Sequence, residues 1–302
     1  MPASANPFGR QLIVALPTAF DGDGALDPGA VRASCELAAG SMSDGAFVGG
    51  TTGEFLALER EERAALLAAA KAGLGDKRVI AHLGAASARQ AIALARDAME
   101  LGITEFALLT PLYLPASQDA TVRFYEQVAA VLPTGSRLYA YLFQARTSTE
   151  VTADVLRRIA DVAPVVGAKI SGETLTTCQE YASAVGPQLE VFTGSDADYA
   201  TVNGAGLAGV VSGVASCLPE PFDALNHALA AGDGAGIADA DAAVQRAVRA
   251  VAGDIARIKA ILAMRGIGSA VTRQAIDIVP DAVRAELEAV LRDASGASAV
   301  RR

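Results

Sequence analysis

The chain has 302 residues, of which 52% are hydrophobic, and a formal net charge of −9 at pH 7. This length and apolar content suit either one large barrel or two ordinary domains. The negative charge argues against nucleic acid as the main partner, because nucleic-acid-binding domains carry clustered positive charge. No uncharged apolar run reaches the roughly 18 residues of a transmembrane helix, so the sequence predicts no membrane span.

The cysteines and histidines are few and scattered. Cys35, Cys178 and Cys217 form no Cys-x-x-Cys pair, which argues against a disulfide framework or a zinc site and is typical of a reducing cytoplasm. The N-terminal residues lack the apolar stretch of a signal peptide, and we therefore expect a cytoplasmic protein. His82 and His227 lie far apart, so we expect neither a metal site nor a His-based catalytic triad.

Strand-like and helix-like patterns alternate from residue 12 to residue 211. The predicted strands are 12–16, 45–49, 78–83, 105–109, 137–141, 163–169, 190–193 and 209–211. The predicted helices between them are 28–39, 59–72, 87–101, 119–131, 152–160, 174–185 and 196–203. Eight evenly spaced units favour an α/β fold of the (β/α)8 barrel type over the alternative, a doubly wound open sheet.

Beyond Pro219 the strand pattern stops and helices follow. They are predicted at 220–231, 235–252, 254–264 and 281–292, separated by Gly and Pro. The first of them serves as the eighth helix of the barrel. We therefore predict a catalytic barrel over residues 1–232 and a C-terminal helical domain over residues 233–302, with a loose tail from residue 295.

A lysine, Lys169, ends the sixth predicted strand. The other three lysines, Lys71, Lys77 and Lys259, are expected in polar or helical surroundings where a solvated ammonium costs little. Burial in an apolar strand disfavours the charged ammonium, and a neutral amine is a nucleophile that forms Schiff bases with carbonyl compounds. The alternative is a strand-end lysine that reaches solvent or pairs with a carboxylate.

Polar residues follow other predicted strands at their carboxyl ends, where (β/α)8 barrels carry their active sites. These segments are Gly49-Gly50-Thr51-Thr52-Gly53-Glu54 after strand 2, Thr110 to Tyr113 after strand 4, and Tyr141 with Arg146 at strand 5. The glycine-threonine loop is either a tight turn or a cradle in which backbone N–H groups and hydroxyls bind a carboxylate. Likewise, Tyr141 is either an ordinary strand aromatic or an acid/base, and Arg146 is either a surface residue or part of the site.

Together these residues resemble the dihydrodipicolinate synthase / N-acetylneuraminate lyase family over nearly the whole chain. The resemblance rests on Gly-Thr-Thr-Gly-Glu at residues 50–54, on Tyr141 followed five residues later by Arg146, and on Lys169. It implies a TIM barrel with a C-terminal helical domain, usually assembled as a homotetramer. It also implies a class I mechanism without metal or other cofactor, in which pyruvate or another 2-oxo acid forms a Schiff base with a lysine.

The resemblance assigns a catalytic role to four residues. Lys169 matches the Schiff-base lysine, and Tyr141 matches the tyrosine that shuttles protons. Thr51 matches the threonine that links this tyrosine to a second one, and Tyr113 matches that second tyrosine, which in the family reaches the neighbouring subunit's site.

The resemblance assigns substrate binding to five further residues. Thr52, with Gly50 and Gly53 beside it, matches the cradle for the pyruvate carboxylate. Arg146 matches the arginine that holds the carboxylate of the second substrate in the synthase branch. Val211 falls where the family has an apolar residue against pyruvate.

The loop after Tyr141 departs from the synthase pattern Tyr-Asn-x-Pro-x-Arg-Thr-Gly, because Leu142, Gln144 and Ser148 replace Asn, Pro and Gly. We therefore predict a pyruvate-dependent lyase or synthase whose aldehyde partner, aspartate semialdehyde or another, is open. The same-class alternative is a 2-keto-3-deoxy sugar acid aldolase or dehydratase. The alternative of another class is a non-catalytic oxo-acid-binding protein.

Two motifs are interpreted as turns. Residues 204–209 match Gly-x-Gly-x-x-Gly but precede a predicted strand, so the dinucleotide-binding context is absent and a nicotinamide-dependent oxidoreductase is disfavoured. Residues 21–24 resemble the start of a calcium loop, but the twelfth position is Arg32 instead of an acid.

Overall fold

The strands form a closed barrel. The structure, a computed structural model, describes residues 9–299, with side chains through residue 296. Eight strands follow one another round the barrel in chain order, and the described strand pairs are parallel. They are β1 (Gln11–Ala15), β2 (Gly45–Val48), β3 (Arg78–His82), β4 (Glu105–Leu109), β5 (Arg137–Leu142), β6 (Val165–Ile170), β7 (Glu190–Thr193) and β8 (Gly209–Ser212). The predicted (β/α)8 fold is confirmed.

The helices connect the strands and continue beyond β8, as predicted except at residues 144–147 and 196–203. They are α1 (Pro28–Ala39), α2 (Arg60–Leu74), α3 (Ala88–Glu100), α4 (Gln118–Ala129), α5 (Gln144–Thr147), α6 (Ala153–Val162), α7 (Leu175–Val185), α8 (Glu220–Ala231), α9 (Gly234–Val251), α10 (Ile255–Met264) and α11 (Asp281–Ala299). Within the part of the chain that the structure describes, no helix is both long and apolar enough to cross a membrane.

The helix starts follow from N-cap side chains in the sequence. Asp27 accepts from the third residue of α1, Ala30 N, at 2.9 Å, and Ser87 caps α3 in the same way. Such caps satisfy backbone N–H groups that have no partner within the helix. At α2, Glu59 and Glu62 form a capping box.

A glycine allows β6 and β7 to pack closely at the start of the sixth strand. A Cβ atom at Gly167 would lie 2.2 Å from the backbone oxygen of Glu190 on β7, so no larger residue fits there. The register then pairs Lys169 with Tyr141 on one side and Phe192 on the other. The absence of a side chain at residue 167 thereby allows the close approach of β6, which carries Lys169, to β7.

The chain divides into two compact units. The terminal unit comprises Met1–Arg78 and Ser212–Arg302, and Phe20, Phe222 and Leu287 are among its fully buried residues. The central unit comprises Val79–Val211. Its core includes the fully buried Tyr125, whose hydroxyl donates to the Leu108 backbone oxygen at 2.7 Å. The proposed boundary at residue 232 stays a prediction.

Two predicted elements are wrong. The helix predicted over 196–203 is a 3₁₀ turn, Asp196–Asp198, followed by further turns, because i→i+3 and i→i+4 hydrogen bonds mix there. The tail predicted from Ser295 continues as α11 to Ala299, while residues 300–302 lie outside the described residues. Buried residues such as Leu287 and Ala294 anchor this helix.

Candidate active site

Lys169 and Tyr141 meet in the central unit. They are register partners on β5 and β6, and their side chains are 6% and 1% exposed. The Lys169 Nζ lies 4.4 Å from the centroid of the Tyr141 ring. A buried amine beside a phenol places a nucleophile next to a group that can move protons. The structure therefore brings together two of the four residues predicted to be catalytic.

The Tyr141 ring is enclosed by two further aromatic side chains. The His82 ring packs against it edge-on, with centroids 5.8 Å apart and an interplanar angle of 71°. On the chain just after Tyr141, Phe143 lies tilted against it at 6.2 Å. A Cβ at Gly84 would lie 2.3 Å from the His82 ring, so the glycine leaves room for that ring.

His82 is a residue of this cluster that the sequence analysis did not include. It ends β3 and is 2% exposed. Burial of an imidazole at the carboxyl end of a barrel strand was the available signal, since that end carries the active sites of such barrels. As a metal ligand or a triad member, the only roles considered above, His82 would need partners that the sequence does not offer.

The loop after β5 carries Arg146 on the short helix α5, which was not predicted. The Arg146 side chain is exposed, and its guanidinium carbon lies 5.8 Å from the centroid of the Phe143 ring. The loop is held by Thr147, whose hydroxyl accepts from Thr110 at 3.1 Å and donates to the Phe143 backbone oxygen at 3.1 Å. The loop thus presents the Arg146 guanidinium next to the Phe143 ring. The role of Arg146 in binding a second substrate remains a prediction.

Tyr113 projects from the loop after β4. Its side chain is 86% exposed, and its backbone lies in the left-handed region at φ 76°. Such a conformation is unfavourable for a residue with a Cβ and persists only where the surroundings fix it. Thr149 fixes this loop by donating to the Pro111 backbone oxygen at 2.8 Å and accepting from the Ala116 amide at 3.2 Å. The part that Tyr113 plays in catalysis remains a prediction.

The predicted carboxylate cradle is a tight turn in the terminal unit. Thr51 and Thr52 are partly exposed, between the buried Gly50 and Gly53. The Gly53 backbone oxygen accepts from the Thr18 hydroxyl at 2.6 Å, and a Cβ at Gly53 would lie 3.1 Å from the Leu16 backbone oxygen. The glycines are therefore needed for the turn, and the two threonines are its accessible members. Backbone N–H groups in a turn of this kind can bind an anion. That this turn binds a carboxylate remains a prediction.

Glu54, which ends this turn, is completely buried. Its carboxylate forms an ion pair with Lys259 and accepts from the backbone N–H groups of Arg273 and Gln274, each at 2.8 Å. The expectation that Lys259 lies in solvated surroundings is therefore wrong, because its side chain is only 2% exposed. The carboxylate compensates for the loss of water around the ammonium.

Lys259 is held by several partners inside the terminal unit. Burial lowers the pKa of Lys259, while the hydrogen bond and charge of Glu54 act in the opposite direction. Its Nζ also donates to the Val271 backbone oxygen at 2.8 Å and lies 4.1 Å from the Phe20 ring centroid. An ammonium held in this way is unavailable to attack a carbonyl carbon. The role of Lys169 as the nucleophile remains a prediction.

The structure also locates Val211 and the two motifs that were interpreted as turns. Val211 is 4% exposed within β8. The glycine motif at 204–209 consists of turns that lead into β8, in agreement with its predicted place before a strand. Asp21 accepts from the backbone N–H groups of Asp23 and Ala25, which confirms the predicted turn. Within residues 9–299, no group of three or more His, Cys, Asp or Glu is arranged to hold a metal ion.

Comparison with known proteins identifies the family. Residues 9–294 match the dihydrodipicolinate synthetase family. An uncharacterized DapA-like lyase of Halobacterium salinarum is 31% identical over 97% of this chain and 96% of its own. A 4-hydroxy-tetrahydrodipicolinate synthase of Streptomyces coelicolor is 34% identical over 75% of this chain and 73% of its own.

Solved structures share the fold. A prophage protein of the dihydrodipicolinic acid synthase family from E. coli K12, crystallised with pyruvate, has a TM-score of 0.84 at 24% identity and covers 95% of this chain and 98% of its own. The sialic acid aldolase of Ruminococcus gnavus has a TM-score of 0.85 at 22% identity and covers 96% of this chain and 99% of its own.

The barrel and the family match together define an enzyme of the class I lyase and aldolase type. The chain belongs to the dihydrodipicolinate synthetase family.

Proposed function

We propose that this enzyme is a pyruvate-dependent carbon–carbon lyase or synthase, similar to dihydrodipicolinate synthase, in which Lys169 forms the Schiff base. The observation that carries the proposal is the buried Lys169 amine 4.4 Å from the Tyr141 ring. The other buried lysine, Lys259, is engaged by Glu54 and is unsuited to attack a carbonyl.

The proposed reaction follows from these groups. The Lys169 amine attacks the ketone carbon of pyruvate, and loss of water gives an iminium. The iminium withdraws electrons, so a methyl proton leaves and an enamine forms. The enamine carbon adds to an aldehyde, whose oxygen takes up a proton, and water then releases the product from the lysine. Tyr141 moves protons in these steps, with Thr51 and Tyr113 as its proposed relay.

Substrate binding is assigned to the remaining predicted residues. Thr52, Gly50 and Gly53 hold the pyruvate carboxylate, which the tight turn and its hydroxyls support. Val211 packs against pyruvate, and its place in a buried strand suits an apolar contact. Arg146 binds the second substrate, for which its exposed guanidinium on Phe143 is suited.

Borohydride trapping tests the Schiff base. The enzyme is incubated with pyruvate, reduced and analysed by peptide mass spectrometry. We expect one adduct, on Lys169, in the wild type and in Lys71→Met, a control at an exposed lysine. The Lys169→Met variant should give none. A folded wild-type enzyme without an adduct, or with the adduct on another lysine, would refute the proposal.

Proton exchange tests the role of Tyr141 and separates the enzyme from a non-catalytic oxo-acid-binding protein. The wild type should exchange the pyruvate methyl protons with deuterium from the solvent. Tyr141→Phe should slow this exchange by about 10²-fold or more, as is typical for loss of a general acid/base. An adduct on Lys169 without exchange in the wild type would favour the binding protein.

The aldehyde partner separates synthase from sugar-acid aldolase. Synthase-like activity predicts turnover of pyruvate with aspartate semialdehyde, whose carboxylate Arg146 would bind. The second candidate, a 2-keto-3-deoxy sugar acid aldolase or dehydratase, is favoured by the loop itself, in which Leu142, Gln144 and Ser148 replace the synthase residues. It predicts turnover with glyceraldehyde, and a parallel assay of both aldehydes decides between them.

We further propose a homotetramer that acts in the cytoplasm without metal or other cofactor. An interface at the loop after β4 is supported by Tyr113 and Leu114, whose large side chains are 86% and 71% exposed. Light scattering should give four times the chain mass, and Tyr113→Ala should weaken the assembly. Exhaustive treatment with EDTA should leave the activity unchanged.

A further inference from the structure

The Gly50–Glu54 turn is anchored by residues that lie more than 200 positions later in the chain. Glu54 is separated from Lys259 by 205 positions and accepts its hydrogen bond inside the terminal unit. The second carboxylate oxygen of Glu54 accepts from the backbone of Arg273 and Gln274. We call Lys259 together with the 269–274 segment the C-terminal clamp.

Arg273 of the clamp also contacts chain segments outside the turn. The Arg273 guanidinium donates to the backbone oxygens of Ala57 at 3.1 Å and Gly24 at 2.7 Å. It also forms a two-pronged ion pair with Glu62 at the start of α2. This hydrogen bond lowers the pKa of Glu62 and raises that of Arg273. The segment after the turn and the loop between β1 and α1 are therefore tied to the same guanidinium.

The conformation of the turn depends on this anchor. Glu54 has a left-handed backbone at φ 52°, which is unfavourable for a residue with a Cβ. Its amide donates to the Thr51 backbone oxygen at 3.0 Å, so the strained residue closes the turn directly after Thr51 and Thr52. A residue keeps such a conformation only where its surroundings over-determine it. The buried carboxylate and its three donors supply that constraint.

We infer that Lys259 is a positioning residue for the substrate carboxylate. Through Glu54, it holds Thr51 and Thr52 in the geometry that binds the carboxylate of a 2-oxo acid. This role rests on the proposed function, in which that turn binds pyruvate. The helices after the barrel thereby take part in recognising the substrate, although Lys259 itself does not touch it.

Comparing two ketones tests whether Lys259 affects binding of the carboxylate or disturbs the whole site. Pyruvate carries the carboxylate, whereas acetone forms the same type of Schiff base without one. Borohydride trapping on Lys169 is measured against the concentration of each ketone. The enzymes compared are the wild type, Lys259→Met, Glu54→Gln and the control Lys71→Met, each checked for folding by circular dichroism.

Lys259→Met should raise the half-saturating pyruvate concentration about tenfold, the loss expected when one hydrogen bond to a carboxylate is misplaced. The half-saturating acetone concentration and the maximal adduct yield should change by less than about twofold. Glu54→Gln, which keeps the side-chain shape, should act in the same direction, and it carries the test if Lys259→Met does not fold. Lys71→Met should match the wild type with both ketones.

The outcomes separate a failure of the positioning role from a failure of the proposed function. An adduct in the wild type with unchanged pyruvate saturation in the folded variants would overturn the positioning role alone. Equal losses for pyruvate and acetone would also overturn it, because the effect would then be a general disturbance. A folded wild type that gives no adduct on Lys169 would overturn the proposed function, and the positioning role would fall with it.

Discussion

Removing the Lys259 ammonium should destabilise the fold measurably. Lys259→Met keeps a long apolar side chain in the same space but leaves the Glu54 carboxylate, which is 0% exposed, without its counter-charge. Breaking a buried ion pair by removing one partner typically costs about 3–5 kcal/mol. The two backbone donors that remain, from Arg273 and Gln274, do not neutralise a carboxylate.

The expected change in Tm follows from the size of the chain. An unfolding entropy of roughly 2.1 cal/mol/K per residue, applied to 302 residues, converts that cost into a Tm lower by roughly 5–8 °C for a two-state transition. Calorimetry at pH 7 on the wild type, Lys259→Met, Glu54→Gln and the double variant gives the full cycle. The double variant should lose less than the two single losses together, because its remaining groups are neutral.

Two results would refute this reasoning. A Tm of Lys259→Met equal to that of the wild type would show that the pair gives no net stabilisation relative to a neutral side chain. A double variant whose loss equals the two single losses within about 0.5 kcal/mol would show that the two side chains are not coupled. Lys71→Met, at an exposed position, should keep the wild-type Tm.

Three further predictions concern other sites. Burial raises the pKa of Asp223 to about 6, so the folded state binds more protons than the unfolded state, and this group's contribution to stability falls as pH rises from about 4 to 6. The Tm of Asp223→Asn minus that of the wild type should therefore increase over that range. A constant Tm difference would contradict this. Gly84→Ala should displace the His82 ring towards Tyr141. A misplacement of about 1 Å should slow deuterium exchange into pyruvate about tenfold or more. Unchanged exchange would show that the position of the Tyr141 ring does not depend on this packing. Burial raises the pKa of Cys35 to about 12, so iodoacetamide should label it only after denaturation, and rapid labelling of the native protein would show an accessible thiolate.

The barrel could be predicted because its signals are local. N-cap residues such as Asp27 and Ser87 mark helix starts, and short apolar runs mark the strands. The contact between Lys169 and Tyr141 also followed, since adjacent parallel strands bring their carboxyl ends together. The helix predicted from Asp196 failed because its apolar pattern does not reveal that local turns take over the backbone hydrogen bonds.

The pairing of Glu54 with Lys259 could not be predicted from either segment alone. Each residue lies in a pattern that has an ordinary interpretation, a turn for Glu54 and a helix for Lys259. One signal was present: every residue of α10 other than Arg257 and Lys259 is apolar, and a helix that is apolar on most of its surface is largely buried. A charge in such a helix requires a partner, but the sequence does not say which of the many carboxylates it is.

The long separation of this pair sets an order of events during synthesis. Glu54 leaves the ribosome 205 residues before Lys259. At roughly 5–20 residues per second, the carboxylate waits about 10–40 s for its counter-charge. The whole Val79–Val211 unit emerges in that interval. A nascent chain stalled before residue 259 should therefore keep Glu54 without its counter-charge, and the turn that Glu54 closes should stay unanchored until synthesis resumes.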